Sequence, residues 1–192
     1  MFKDLVLKNR SYRRFDEGQA VAMETLLKLV DLARLIPSAQ NAQPLKYILS
    51  VDPQTNARIF PTLAWAGYLR DWPGPQEGER PSAYIVMLGD TEVRPSFGCD
   101  HGIAAQTILL GAVEQGLGGC MIGSIHKENL RAALSIGVRY EILLVIALGK
   151  PVETVVVETV DESGNIKYWR DAQQVHHVPK RALSEIVLDQ HA

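Results

Sequence analysis

The stretch "DHGIAAQTILLGAVEQ", Asp100 to Gln115, decides how this chain must fold. It has the length of a helix, carries no proline, and is apolar nearly all round. A helix of that kind lies in a core or at a subunit interface, because no polar face is left for water. Asp100 stands where a carboxylate can cap it. Such a helix needs other layers to bury it, and apolar runs elsewhere supply them. "LKYILSV" (Leu45 to Val51), "AYIVMLGD" (Ala83 to Asp90) and "YEILLVIALG" (Tyr140 to Gly149) read as strands, the second buried on both faces. "METLLKLVDLARLI" (Met23 to Ile36) is the first clear helix. Met23, Leu26, Leu27, Val30 and Ala33 follow helical spacing, Glu24, Lys28 and Asp31 fall on the other side, and Pro37 ends it. A short helical piece lies between Pro53 and Pro61, and "HKENLRAAL" from His126 is a short amphipathic helix. Helices separate some strands and not others, so the class is α+β.

The 192 residues suffice for a single domain, 1–192, with a sizeable core. A net charge of −2 argues against a nucleic-acid role. "MFKDLVLKNR" holds no secretory signal, and no run is long enough to span a membrane. Cys99 and Cys120 are far apart and outside any CxxC pattern, which fits a cytoplasmic chain with reduced thiols. Two segments lack periodicity. Residues 65–82 combine Trp65, Tyr68 and Trp72 with proline and glycine, and are expected to form a lid. Residues 151–192 contain a plausible strand in "ETVVVETV" but are otherwise polar and extended. This C-terminal arm shows no evident core of its own and is expected to wrap over something.

Four short segments carry possible chemistry. "NRSYRRF" (Asn9 to Phe15) groups Arg10, Arg13 and Arg14 with Ser11, which can be a solvated turn or one wall of an anion site. Arg14 is free to be solvated or to pair with Asp16 or Glu17. "PSAQNAQP" (Pro37 to Pro44) sets Ser38, Asn41 and Gln43 between prolines. These groups suit a planar heterocycle or, equally, helix-ending turn chemistry. "GLGGCMIGS" (Gly116 to Ser124) is not a dinucleotide fingerprint. Met121 breaks the register, and the run follows a helix where the fingerprint follows a strand. Its glycines turn the chain or let backbone approach something flat. "HHVPKR" (His176 to Arg181) pairs two histidines that point to opposite faces of an extended chain, so no metal is expected; Lys180 and Arg181 could join the N-terminal arginines at a phosphate. With no nucleophile elbow, P-loop or HExxH, and no pair of carboxylates set for acid–base work, an enzyme built this way borrows its reactive group from a cofactor.

In this order the segments resemble the nitroreductase family of FMN-dependent oxidoreductases. "NRSYRRF" is similar to the family's N-terminal Arg-Arg-Ser-x-Arg-x-Phe element and "PSAQNAQP" to its Pro-Ser-Ala-x-Asn-x-Gln-Pro loop. "DHGIAAQTILLGAVEQGLGGCMIG" resembles the central helix and the glycine turn after it, "VIALGKP" the closing strand and "VPKR" the C-terminal basic element. Asn9, Thr107 and Gly123 depart from common family residues at their positions.

The resemblance implies a mixed central sheet flanked by helices. It also implies a homodimer with FMN at the subunit interface and the arm embracing the partner. Arg10, Ser11 and Arg13 would meet the ribityl phosphate and flavin edge, with Lys180 and Arg181 closing the phosphate site. Ser38, Asn41 and Gln43 would lie beside the ribityl chain and ring, walled by Pro37 and Ala39. Met121, Ile122 and Gly123 would run past the ring, with a backbone N–H near N5 and no obligatory catalytic side chain. The implied reaction passes hydride from NADH or NADPH through FMN to a nitroaromatic, quinone or similar small flat aromatic acceptor, by a ping-pong mechanism. Two alternatives stay open: flavin storage or sensing with little turnover, and flavin-cleaving or dehalogenating chemistry on the same fold.

Overall fold

The computed structural model describes residues 2–191. In chain order the elements are α1 (Phe2–Lys8), β1 (Phe15–Asp16), α2 (Met23–Arg34), β2 (Leu45–Ser50), α3 (Pro53–Ile59), β3 (Ala83–Asp90) and α4 (Asp100–Glu114). They continue as β4 (Gly118–Ile122), α5 (Lys127–Leu134), β5 (Tyr140–Pro151), β6 (Val155–Thr159), β7 (Trp169–Arg170), β8 (His176–Lys180) and α6 (Leu183–Ile186). The chain divides into two compact units. The first holds residues up to Trp65 and Pro73–Val152; the second joins Ala66–Trp72 to the residues from Glu153 onward.

The first unit is built on one sheet. β2 pairs with β3, β3 with β5, and β5 with β4 and β1, every pair antiparallel. Strand β3 is buried along its whole length, and its alternation assigns its side chains to two layers. Ile85 and Met87 face a cluster with Leu26, Leu29, Ala104, Ile108 and Leu109 from α2 and α4. Tyr84, Val86 and Leu88 face a second cluster with Ile59, Leu63, Leu130 and Ile142. The sheet is thus covered on both sides, which explains the unbroken apolar runs of β3 and β5. Helix α4 buries Ala104, Ala105, Ile108, Leu109 and Ala112 and leaves Ile103 exposed, so its core is one-sided. Helix α1 lay outside the sequence reading. Its carbonyls are capped from beyond its end: Arg10 Nη2 donates to Val6 O (2.7 Å).

Within "GLGGCMI", Gly116 turns the chain at positive φ (73°) and Gly118–Ile122 forms the strand β4. Glycine-rich segments have weak strand propensity, but here the missing side chains are a packing requirement. A Cβ on Gly118 would stand 2.5 Å from the Tyr12 ring and 2.6 Å from Pro151; one on Gly119 would stand 2.5 Å from the carbonyl oxygen of Ala147. Residues 73–82 are also held: Phe15 N–H donates to Glu79 O (3.0 Å) and Glu17 N–H to Gly78 O (3.2 Å). Arg14 forms a two-pronged ion pair with Glu79, a partner distant in sequence that displaces both nearby carboxylates considered above.

The C-terminal arm, read as having no core of its own, pairs its strands into a small sheet, and neither cluster of buried apolar side chains among the described residues includes it. β6 and β8 pair in parallel, β7 adds antiparallel to β8, and His176 is buried within the unit. The partner of β6 lies some twenty positions downstream in a polar stretch, which local composition does not reveal. Arg170 ties the sheet to Glu153 (3.0 Å). Ala66–Trp72 packs with these strands: the Tyr68 and Tyr168 rings are 4.9 Å apart, and the Arg170 guanidinium lies 4.2 Å above Trp72.

His177 shows what tertiary pairing adds. The sequence sets no carboxylate at ligand spacing, yet Nδ1 meets Glu158 and Nε2 meets Asp171 (3.3 Å), with the Trp169 ring stacked at 4.1 Å. Glu158 first, and then Asp171, hold the imidazole above its ordinary value of 6.5 against the opposing effect of burial. A raised folded-state value stabilises the protonated form. This contribution is therefore complete below pH 6.5 and lost as pH rises through the raised value. In an NMR titration Glu158→Gln is expected to move the His177 midpoint down, and amide protection in β6 and β8 is expected to fall at lower pH than in the parent. A midpoint that Glu158→Gln leaves in place would contradict the clamp.

Candidate functional site

The amide loop is the most constrained segment of the first unit. After α2, Ala39–Asn41 forms one 3₁₀ turn, and Gln40, Asn41 and Gln43 all take positive φ (57°, 54° and 51°). Left-handed backbone costs a non-glycine residue about 1 kcal/mol, so three in one loop need an anchor. Asp100 is that anchor. Its carboxylate accepts from Ser38 Oγ (2.7 Å) and from Ala39 N–H (3.1 Å), and Ser38 Oγ in turn accepts from Gln43 N–H (3.0 Å).

Asp100 does not cap α4 as the sequence suggested. It is the first helical residue, α4 has no side-chain cap, and the carboxylate turns outward to the loop. It is 4% exposed and sits at the positive end of the helix dipole, which favours its charge. Arg94 Nη1 reaches Ala39 O (3.0 Å) and holds the loop from a third side. Sequence reasoning missed Asp100 and Arg94 as loop supports; an acidic residue opening a helix is the one signal that pointed to Asp100.

A cavity of about 300 Å³ opens against this loop, lined among others by Ala33, Ile36, Pro37, Ser38, Gln43 and Tyr47. Burial pushes the Tyr47 phenol up to about 12. Gln43 Nε2 donates to Asn41 O (3.1 Å). Asn41 and Gln43 are thus tied to each other, and Ser38 Oγ links Asp100 to the Gln43 N–H.

The arginine segment and the glycine strand come together. Ser11 bridges Gly119 in parallel, and Tyr12 N–H donates to Gly119 O (3.0 Å). Arg10 Nε donates to Asn9 O (2.6 Å), and Arg13 Nη1 to Ser11 O (3.2 Å). Further along β4, Ile122 turns its side chain into the core, Met121 is half-buried against it, and a Cβ on Gly123 would meet only Leu144, at 3.8 Å. What Ile122 and Gly123 can present outward is backbone. Lys180 and Arg181 belong to the second unit, Lys180 in β8 and Arg181 beside Glu185 (4.0 Å). No group of three metal-ligating side chains gathers among the described residues, and none of their helices is long and apolar enough to cross a membrane.

An antiparallel sheet between two helical layers, joined to a strained amide loop and an arginine segment laid on a glycine strand, defines a known class. The chain belongs to the nitroreductase family: the family model matches residues 6–77 and 78–150. Among curated proteins it is similar to YodC of Bacillus subtilis (strain 168), named as a NAD(P)H nitroreductase. The two are 25% identical over 179 residues, covering 77% of this chain and 89% of that one. Among solved structures, a nitroreductase family protein from Streptococcus pneumoniae TIGR4 superposes with a TM-score of 0.70 at 18% identity, covering 99% of this chain and 100% of that one. An FMN-dependent nitroreductase from Clostridium difficile R20291 gives 0.66 at 23% identity, covering 84% and 92%.

Proposed function

We propose that this protein is an FMN-dependent NAD(P)H oxidoreductase that works as a cytoplasmic homodimer. In a ping-pong cycle NADH or NADPH enters first, and a nitroaromatic, quinone or similar flat acceptor follows at the same face. The observation that carries the reading is the loop of residues 37–44, whose three left-handed residues are held by Asp100 in a form that turn-making alone does not require. Strain of this kind concentrates at binding sites.

The residues present fit FMN. Arg10 has five N–H donors, of which two are spent on Asn9 and Val6; with Ser11, Arg13, Lys180 and Arg181 it is assigned to the phosphate. Ser38, Asn41 and Gln43 are assigned to the ribityl chain and ring, walled by Pro37 and Ala39. Met121, Ile122 and Gly123 are assigned to the ring edge, where the open space at Gly123 admits a flat group. FMN, when bound, supplies the two-electron redox chemistry. The chain binds it, aims backbone N–H groups at its edge, and holds the stacked reactants in line. The dimer would complete each site with a loop from the partner. Exposed Leu183, Ile186 and Leu188 (73%, 61% and 97%) in and after α6 suit an arm that packs on a second subunit.

An anaerobic visible spectrum of the purified protein, before and after NADH and then NADPH, tests the reading. One FMN per chain, bleached by either nucleotide, is expected. Bound FMN that neither bleaches would favour storage, and a colourless protein that cannot be reconstituted would end the proposal. Arg13→Ala is expected to weaken FMN binding roughly tenfold or more and to flatten its salt dependence; unchanged affinity would remove the phosphate assignment. Trp72→Ala is expected to change acceptor preference more than FMN affinity, and equal loss in both would make Ala66–Trp72 structural.

A further inference from the structure

A second cavity in the first unit, of about 150 Å³, lies between α3, the residues before β3 and the start of β3. One wall is apolar: Ala57, Phe60 and Pro81. The polar part of the lining is incompletely satisfied. Ser82 Oγ and Arg80 Nε are both buried without a hydrogen-bond partner. The Arg80 guanidinium is held 4.6 Å over the Phe60 ring, and among the described residues no carboxylate side chain pairs with it. A buried hydroxyl and a buried guanidinium nitrogen left unpaired are rare enough to require a reason.

The other polar groups narrow the choice. Asn56 is held in place, accepting from Ser50 Oγ (2.6 Å) and donating to Ser82 O (2.9 Å). Glu17 also lines the cavity, its Oε2 taking the N–H groups of Gly78 (2.6 Å) and Arg80 (3.4 Å). The wall thus holds one full positive and one full negative charge. A doubly charged phosphate would be repelled by Glu17, whereas a singly charged head can turn to Arg80 and Ser82. Cavities near 150 Å³ accept a single six-membered ring. A ring covers apolar lining that water would leave wetted, and Tyr84, 1% exposed, lines the cavity too.

We propose that this cavity binds a small single-ring carboxylate, with its carboxylate on Arg80 and Ser82 and its ring between Phe60, Ala57 and Pro81. The site is separate from the residues assigned to FMN. A ligand here would bear on the first unit through α3 and β3.

The test is a ¹H–¹⁵N NMR titration of the protein as purified, whether or not it carries FMN, with benzoate, benzamide and inorganic phosphate. Benzoate is expected to shift residues 51–60 and 80–84 saturably, with a Kd on the order of 0.1–1 mM for a ligand of this size. Benzamide should bind more weakly and phosphate should leave these residues unmoved. Arg80→Met, which keeps the stem over Phe60, should weaken benzoate roughly tenfold, and Ala57→Phe, which fills the cavity, should abolish the shifts. Melting temperature and amide signal dispersion verify that each variant folds; if Ala57→Phe does not, Arg80→Met alone decides. The proposal is overturned if these residues do not shift saturably up to about 10 mM, a level well above the affinity expected for a ring of this size. It is also overturned if the shifts centre on residues 37–44 and 121–123 and survive Arg80→Met, or if phosphate displaces benzoate. Loss of FMN-dependent activity has no bearing on these readouts, so this site and the oxidoreductase reading fail separately.

Discussion

Asp100→Ala is expected to destabilise the protein by roughly 3–5 kcal/mol and to strip most of its FMN. Two hydrogen bonds end on this carboxylate, from Ser38 Oγ and Ala39 N–H, and bonds to a charged group contribute about 1.5–3 kcal/mol each. Their loss leaves a hydroxyl and an N–H unpaired in a part-buried place and removes what holds Gln40, Asn41 and Gln43 at positive φ. The loop should then relax, and the amide groups assigned to the flavin should lose their geometry. Asp100→Asn keeps an acceptor without its charge and should recover about half the stability. Urea unfolding and the ratio of bound FMN to chain measure both effects. A variant within about 1 kcal/mol of the parent that still carries a full complement of FMN would show that the loop holds itself.

Gly119→Ala should be of similar size, about 3 kcal/mol or more, for a steric reason. The new Cβ would lie 2.5 Å from the carbonyl oxygen of Ala147, 2.7 Å from Leu109 Cδ2 and 2.8 Å from Leu148 Cδ2. Leucine tips can give way, but the carbonyl belongs to the β4–β5 ladder, where Gly119 faces Leu148 and Cys120 faces Ala147. Relief requires β4 to move off β5, beyond the usual 1–3 kcal/mol of overpacking. The same shift would carry Ser11 and Tyr12 with it, because both are held on Gly119. Gly123→Ala is the control. Its nearest neighbour, Leu144, is 3.8 Å away, so stability should stay within about 0.5 kcal/mol, while FMN affinity falls if the ring passes there. Equal stability for the two variants would contradict the packing account of the glycine strand.

Both residues show where the sequence could be read and where it could not. Asp100 was visible as an acidic helix start, and its position as the first turn of α4 is correct. Its partners were not visible, because Ser38 lies 62 positions away and helix-start chemistry offers a sufficient local explanation. The glycines of β4 read as a turn because local propensity counts a missing side chain against a strand. Only the neighbours, Tyr12, Pro151 and Ala147, turn that absence into a requirement. Arg14 is a third case: two near carboxylates were on offer, and a distant one, Glu79, took it. Sequence-adjacent His176 and His177 did separate as the strand period demands, one buried and one between carboxylates.

What the sequence determined by itself was every element whose signal repeats along the chain. The apolar period of α2, the nearly all-apolar α4 and the apolar runs of β2, β3 and β5 established an α+β protein with at least β3 buried on both faces. The ordered motifs pointed to the family. What only the tertiary structure decided was which distant groups meet: Ser38 on Asp100, Ser11 on Gly119, Glu79 on Arg14, and β6 beside β8. Periodicity is written in neighbouring residues, so burial can be read locally. A hydrogen bond or a close backbone approach depends on two segments arriving at one place, and neither segment carries the address of the other.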